Sequence, residues 1–199
     1  YSMTLDDHNG SLWAGTGAGL ARITGTEWTV FTTTNTDSVL DKEPIICLAI
    51  SGSTIWAGTT RGLVKFDGNE WTRYSPQNSA LPAPFIRNIA VEANGNVWMG
   101  VSNEINLDSI DSKSMVGLVK FDGTNWTLYN SENSPLLKEN RVNSIAIDSK
   151  GNKWIATASH LLFDHTSGAG ILKFDNTTWT AYTKANTPLP DNRINWVGV

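Results

Sequence analysis

Between Val142 and Tyr182, apolar and polar positions alternate in four short runs: "VNSIAID" (142–148), "KWIAT" (153–157), "GILKF" (170–174) and "TWTAY" (178–182). A period of two, carried by β-branched and aromatic residues, predicts β-strands. Turn chemistry separates the runs, with "SKGN" after the first and "DNT" between the third and fourth. The same pattern occurs earlier, and in its second copy predicts strands near 45–50, 54–59, 62–67 and 70–74. There the last turn reads "DGN" after Phe66, and in the third copy "DGT" after Phe121. Asp-Gly between alternating segments favours a hairpin, because the turn needs a positive φ. No segment carries a helical period. Each unit therefore predicts four antiparallel strands, A to D.

The copies are close in wording as well as in pattern. "GLVKFDGNEWTRY" (62–74) returns as "GLVKFDGTNWTLY" (117–129), with weaker versions at 19–31 and 170–182. In each, a Gly precedes a Trp by nine residues: Gly19 and Trp28, Gly62 and Trp71, Gly117 and Trp126, Gly170 and Trp179. A second Trp sits on each strand B, at Trp13, Trp56, Trp98 and Trp154. An aromatic that recurs with the architecture is first a packing residue, so these eight are read as structural, and six of them (Trp56, Trp71, Trp98, Trp126, Trp154 and Trp179) as largely buried between sheets. A lone four-stranded sheet cannot bury both faces, and radial stacking of such sheets solves this. The expected fold is all-β: a β-propeller with blade units of about 1–44, 45–84, 85–140 and 141–192. "RINWVGV" (193–199) reads as the first strand of a further blade, which makes further blades of the same polypeptide the first expected partners.

Composition narrows the function. The chain has 199 residues, 17% of them charged, with a formal charge of -4 and no basic cluster, which argues against nucleic-acid binding. Its longest apolar runs, such as "PIICLAI" (44–50), fall far short of the roughly 20 residues that span a bilayer. The single cysteine, Cys47, stands where the fourth unit has Ser144 and reads as a small buried core residue.

The stretches Trp56–Tyr74 and Gly95–Tyr129 follow the pattern G-N-x-W-x-G-T, a gap, then G-L-x-K-F-D-G-x-x-W-T-x-Y. This resembles the two-component-regulator propeller repeat, and the resemblance covers essentially the whole chain. "WMGV" and "WIAT" in units three and four depart from its W-x-G-T. Members of that family occur as periplasmic sensor regions of hybrid two-component receptors, where they sense carbohydrate fragments, and as repeats in secreted or surface proteins of bacteria. The resemblance thus implies a periplasmic or extracellular, cell-surface location. The "FDGxxWTxY" ending looks closer to the secreted group.

Function usually lies where a repeat stops repeating. The distance from the strand-B Trp to the strand-C Gly is 6, 6, 19 and 16 residues in the four units, so two B–C loops are extended. In an antiparallel blade these loops share a face with the D–A connections, and insertions on a rigid scaffold are common carriers of binding. The first insertion, 102–116, holds Glu104, Asp108 and Asp111. Three acids could hold a hard cation such as calcium, but their order is not that of a calcium loop, and a solvated acidic loop is the plainer reading. The second, 157–169, holds His160, Asp164 and His165, a set that could bind zinc or move protons, though its spacing fits no recognised site. Arg141 and Arg193 occupy matching positions before strand A and suit either a ligand oxygen or a neighbouring backbone. The inner strands "SMTL", "CLAI", "NIAV" and "SIAI" are nearly neutral and offer no catalytic cluster. The sequence reading is a non-catalytic ligand- or protein-binding module, with no cofactor or metal assigned. An architectural or adhesive array is the alternative, and a propeller lyase or hydrolase a more distant one.

Overall fold

The computed structural model describes residues 2–103, 115–134, 141–158 and 169–199. Among the described residues, sixteen strands form four separate four-stranded antiparallel sheets, each in sequential order. Blade one holds β1 (Met3–Asp6), β2 (Ser11–Thr16), β3 (Gly19–Thr24) and β4 (Glu27–Phe31). Blade two holds β5 (Ile45–Ser51), β6 (Thr54–Thr59), β7 (Leu63–Phe66) and β8 (Trp71–Tyr74), close to the expected spans. Blade three holds β9 (Phe85–Val91), β10 (Val97–Ser102), β11 (Met115–Phe121) and β12 (Trp126–Tyr129). Blade four holds β13 (Val142–Ile147), β14 (Lys153–Thr157), β15 (Ile171–Phe174) and β16 (Trp179–Tyr182). The architecture is that of a β-propeller.

Turn chemistry accounts for the hairpins. Gly68 and Gly123 take φ of 100° and 97°, and Asn176 fills the same place at 83°. The preceding aspartate caps each turn: Asp67 Oδ1 accepts the N–H groups of Asn69 and Glu70, Asp122 Oδ1 those of Thr124 and Asn125, and Asp175 Oδ1 those of Thr177 and Thr178. The fixed Gly-to-Trp spacing has a steric cause. A Cβ at Gly62 would collide with the Tyr74 carbonyl oxygen on the neighbouring strand, and Gly19, Gly117 and Gly170 meet the matching carbonyls of Phe31, Tyr129 and Tyr182.

The donors to Asp175, the Thr178 N–H first, hold its carboxyl down at about 2, and the same kind of turn lowers Asp67 and Asp122. A carboxylate with a depressed folded-state pKa stabilises above its unfolded value, and that stability is lost as pH falls through the folded value. Stability should therefore hold above about pH 4 and fall towards pH 2. Carboxyl-carbon chemical shifts of Asp175 titrating at its ordinary value would disprove the capped turn.

The core lies between blades. Three apolar clusters fill the three seams, centred on Trp13, Trp56 and Trp98. Each seam repeats one aromatic arrangement. The strand-B Trp stacks on the strand-D aromatic of its own blade: Trp13 on Phe31 at 5.5 Å, Trp56 on Tyr74 at 6.4 Å and Trp98 on Tyr129 at 5.6 Å. The next blade sends in a stacked Phe–Trp pair: Phe66–Trp71 at 4.4 Å, Phe121–Trp126 at 4.2 Å and Phe174–Trp179 at 4.3 Å. Trp13, Trp56 and Trp98 are buried, whereas Trp71, Trp126, Trp154 and Trp179 are half-buried rather than largely buried, and Trp28 is 66% exposed. The difference follows from position: the strand-D Trp lies on the blade's outermost strand, the strand-B Trp154 has no following blade among the described residues, and Trp28 has no preceding one.

Inner strands are stitched by one residue position. The Leu48 N–H donates to Ser2 Oγ at 3.2 Å, Cys47 Sγ lies 3.8 Å from the Ile86 carbonyl, and Asn88 Nδ2 donates to the Val142 carbonyl at 2.8 Å. The Gly of W-x-G lies at the same seam: a Cβ at Gly58 would sit 2.7 Å from Ile86 Cγ2 of the next blade. Residues 193–199 continue the stitch without forming a regular strand. The Ile194 N–H donates to the Thr157 carbonyl at 2.9 Å, Asn143 Nδ2 to the Ile194 carbonyl at 3.0 Å, and the Val197 N–H to Ser144 Oγ at 3.3 Å.

Candidate functional site

Strand direction places the start of each strand A, the ends of each strand B and the D–A connections on one face. The tight A–B and C–D turns occupy the other. On the first face, Arg87 of β9 and Arg141, one residue ahead of β13, flank the Asn88–Val142 hydrogen bond that joins blades three and four. Arg87 Nε donates to Ser102 Oγ at 3.2 Å, at the base of the 102–116 segment. Its guanidinium carbon lies 4.9 Å from the centre of the buried Phe85 ring. Burial, and then the positive charge of Arg141, lower the Arg87 pKa; burial lowers that of Arg141. Two half-buried guanidinium groups, Arg87 and Arg141, thus lie at the seam of blades three and four, next to Ser102. Arg193 holds the matching place ahead of residues 194–199, where its N–H donates to Asp191 Oδ1 at 2.8 Å. Of the candidate residues, Arg141 and Arg193 are therefore both on this face. Glu104, Asp108, Asp111, His160, Asp164 and His165 lie outside the described residues. Arg87 went unremarked in the sequence because its repeat counterparts are Ile46 and Asn143.

The D–A connections are more rigidly built than their composition suggests. In each, an Asn four residues after the strand-D aromatic brackets the chain. Asn35, Asn78, Asn133 and Asn186 each accept an N–H from Thr32, Ser75, Asn130 and Thr183 respectively. Each also donates to a strand-D carbonyl, of Val30, Arg73, Leu128 and Ala181. The first turn of each connection is thus held in the same way in all four units. Arg73 of blade two adds to the first connection, with Nε donating to the Val39 carbonyl at 3.1 Å and an ion pair to the buried Glu43.

The opposite face holds a polar cluster between blades three and four. Lys153 is fully buried at a position that is Leu12, Ile55 and Val97 in the other units. Its Nζ donates to Glu92 Oε1 at 2.8 Å, the Gly151 carbonyl at 2.9 Å and Asn176 Oδ1, and lies 4.8 Å from the Trp98 ring centre. Asn96 Nδ2 donates to Glu92 Oε2 at 2.7 Å. Burial works to raise the Glu92 pKa, but the hydrogen bonds from Lys153 and Asn96 and the Lys153 charge leave it lowered. Every donor of Lys153 is matched, so the cluster is a blade-to-blade clamp. An open cleft of about 420 Å³ lies above it, lined by Asn94, Lys120, Lys150 and others. No helix among the described residues is long and apolar enough to cross a membrane.

No protein-family model matches the chain, and no curated protein matches it. Solved structures do. The extracellular domain of a hybrid two-component system from B. thetaiotaomicron is 19% identical with a TM-score of 0.59, over 96% of this chain and 29% of that one. PorZ, a surface component of the type-IX secretion system of Porphyromonas gingivalis, is 17% identical with a TM-score of 0.63, over 95% of this chain and 26% of that one. Virginiamycin B lyase from Staphylococcus aureus is 16% identical with a TM-score of 0.60, over 96% of this chain and 56% of that one. The chain thus spans between about a quarter and just over half of these three proteins. At these identities the likeness establishes the fold alone.

Proposed function

We propose that this chain is a non-catalytic β-propeller binding module that engages a ligand or protein partner on the face carrying the 102–116 and 157–169 segments. The observation that carries this reading is the placement of Arg87 beside Arg141 at the root of the first insertion, on the face that also carries the four asparagine brackets. Insertions on a propeller scaffold suit recognition, and arginines near their base suit oxygen-rich groups, because a guanidinium can fork onto such oxygens. A periplasmic or cell-surface setting agrees with the two-component-system extracellular domain and the surface component that share the fold, and a carbohydrate-type ligand follows from the repeat resemblance alone. Glu104, Asp108, Asp111, His160, Asp164 and His165 belong to this proposed face, with Arg141 and Arg193 at its edge. An architectural array is the second reading, favoured by the four identical brackets.

An array of neutral and acidic oligosaccharide fragments tests the proposal. The intact chain should retain at least one fragment. Deleting 103–114 and 159–168 while keeping Gly117 and Gly170 should leave far-ultraviolet circular dichroism unchanged and reduce binding at least tenfold. Retained binding in the deletion would move the site off this face.

A further inference from the structure

We propose that the face opposite the insertions carries a second, separate site: the cleft between blades three and four, taking a small polyhydroxylated carboxylate whose acid group sits between Lys120 and Lys150. Three departures from the repeat meet there. The first is Lys153, in a column that is Leu12, Ile55 and Val97 in the other blades. The second follows from it. On each blade a strand-C cation stands across from the strand-B Trp: Arg22 from Trp13, Lys65 from Trp56, Lys120 from Trp98 and Lys173 from Trp154. Arg22 and Lys173 rest over that ring, at 5.7 and 5.5 Å, and Lys65 pairs with Asp67 at 3.7 Å. Over Trp98 the cation is Lys153 instead, at 4.8 Å, so Lys120 has neither the ring nor an ion pair among the described residues. The third is Asn176, which takes a φ of 83° where blades one to three have Gly25, Gly68 and Gly123. A side chain in that backbone region is uncommon, and here it has a task, because its Oδ1 accepts from Lys153. Lysine only donates, so the amide must turn its oxygen to Lys153, and its NH2 group is left without a partner among the described residues.

Lys120 and Asn176 line the cleft together with Glu92, Asn94, Asn96 and Lys150, around a volume of about 420 Å³, which suits a small molecule. The charge of the lining selects the ligand. Glu92, 7% exposed, is neutralised by Lys153 at 2.8 Å and held by Asn96 at 2.7 Å. The other charged groups of the lining are Lys120 and Lys150, and Lys150 is exposed with no ion pair among the described residues. Asp122 and Asp148, close by in sequence, are committed to the donors of their own turns. Two lysines with no carboxylate of their own fit an acid group. A carboxylate suits them better than a phosphate, because the N–H groups of Gly95, Lys150 and Gly151 all donate within their own turns and leave no backbone nest. Side-chain amides line the rest, without an aromatic ring, so the body of the ligand is hydroxylated rather than apolar.

Titration of the intact chain with sodium gluconate, followed by backbone and side-chain resonances, tests the site. Gluconate should shift Lys120, Lys150 and Asn176 together along one saturable curve, and its affinity should fall with added salt. Lys120→Gln and Lys150→Gln, neither of them a buried position, should each weaken binding about fivefold. The double variant should abolish it with far-ultraviolet circular dichroism unchanged. Asn176→Gly, which restores the usual residue of the turn, should weaken it as well. Sorbitol has the same carbon chain without the charge, hexanoate the charge without the hydroxyl groups, and inorganic phosphate the charge alone. Each should bind far more weakly than gluconate, and equal binding of any one of them would overturn the assignment. Resonances that gluconate leaves unmoved, or a double variant that still binds it, would do the same. The site does not depend on the insertion face. The chain lacking 103–114 and 159–168 should bind gluconate as the intact chain does, so either proposal can fail alone, and loss of gluconate in that deletion would move it to the insertions and refute this cleft.

Discussion

Trp98→Ala should lower the unfolding free energy by about 3–5 kcal/mol, the usual cost of emptying a buried aromatic site. Trp98 is wholly inaccessible and joins blades three and four, stacked on Tyr129 and meeting Phe174 edge-on at 5.9 Å. The loss combines transferred apolar area with a cavity that two sheets cannot close without moving apart. Trp28→Ala is the internal control: the same residue type at 66% exposure should change stability by no more than about 0.5 kcal/mol. Urea midpoints measure both, and equal shifts in the two variants would mean that the seam is not where the stability resides.

Lys153→Met should be nearly as damaging, at about 3–5 kcal/mol, although it replaces a charge by an apolar chain of similar length. The damage comes from what is left behind. Glu92, 7% exposed, would keep its hydrogen bond from Asn96 but lose its cation, and Asn176 Oδ1 and the Gly151 carbonyl would lose a donor. Removing both charges, as Lys153→Met with Glu92→Leu, should recover much of the loss, because a well-packed apolar pair can match a buried ion pair. The sign of the pH effect separates this from simple packing. In the wild type the lowered Glu92 carboxyl stabilises above its unfolded pKa, and that contribution fades as pH falls. In Lys153→Met burial acts on Glu92 unopposed by a cation, so its carboxyl is raised and the single variant should lose less stability in acid than at neutral pH. A gap between the two proteins that stays constant from pH 7 to pH 4 would sink the clamp.

Strand periodicity and turn chemistry were legible because both are local. Alternation placed β5 to β8 almost to the residue, and Asp67-Gly68 announced its own turn. The Gly62-to-Trp71 spacing was legible as a rule, but not as the collision with the Tyr74 carbonyl that enforces it. The asparagine brackets were written openly, at a constant four residues after Phe31, Tyr74, Tyr129 and Tyr182, yet polar residues in a connection read as solvated filler unless their period is counted. Lys153 was visible as a break in an apolar column, but Glu92 stands 61 residues earlier, and only the packing of two blades brings them together. Arg87 and Arg141 met for the same reason, through a seam rather than a motif. Of the six Trp residues expected to be largely buried, Trp56 and Trp98 are, whereas Trp71, Trp126 and Trp179 sit on outer strands that face solvent on one side and Trp154 on a blade face that no described blade covers.

The stitch at Cys47 makes that residue a built-in clock for the seam between blades two and three. It is the only thiol in the chain, 9% exposed, and its Sγ faces the Ile86 carbonyl of the next blade. Burial pushes its pKa up to about 12, so in the closed state neither access nor thiolate chemistry favours a reagent. Alkylation must wait for the blades to part, and its rate then reports how often they do. Measured at rising urea, the labelling rate of the wild type should show an early, weakly denaturant-dependent phase if single seams breathe independently. If instead every labelling event tracks global unfolding, the seams open only together, and the blades form one cooperative unit rather than a row of separable ones.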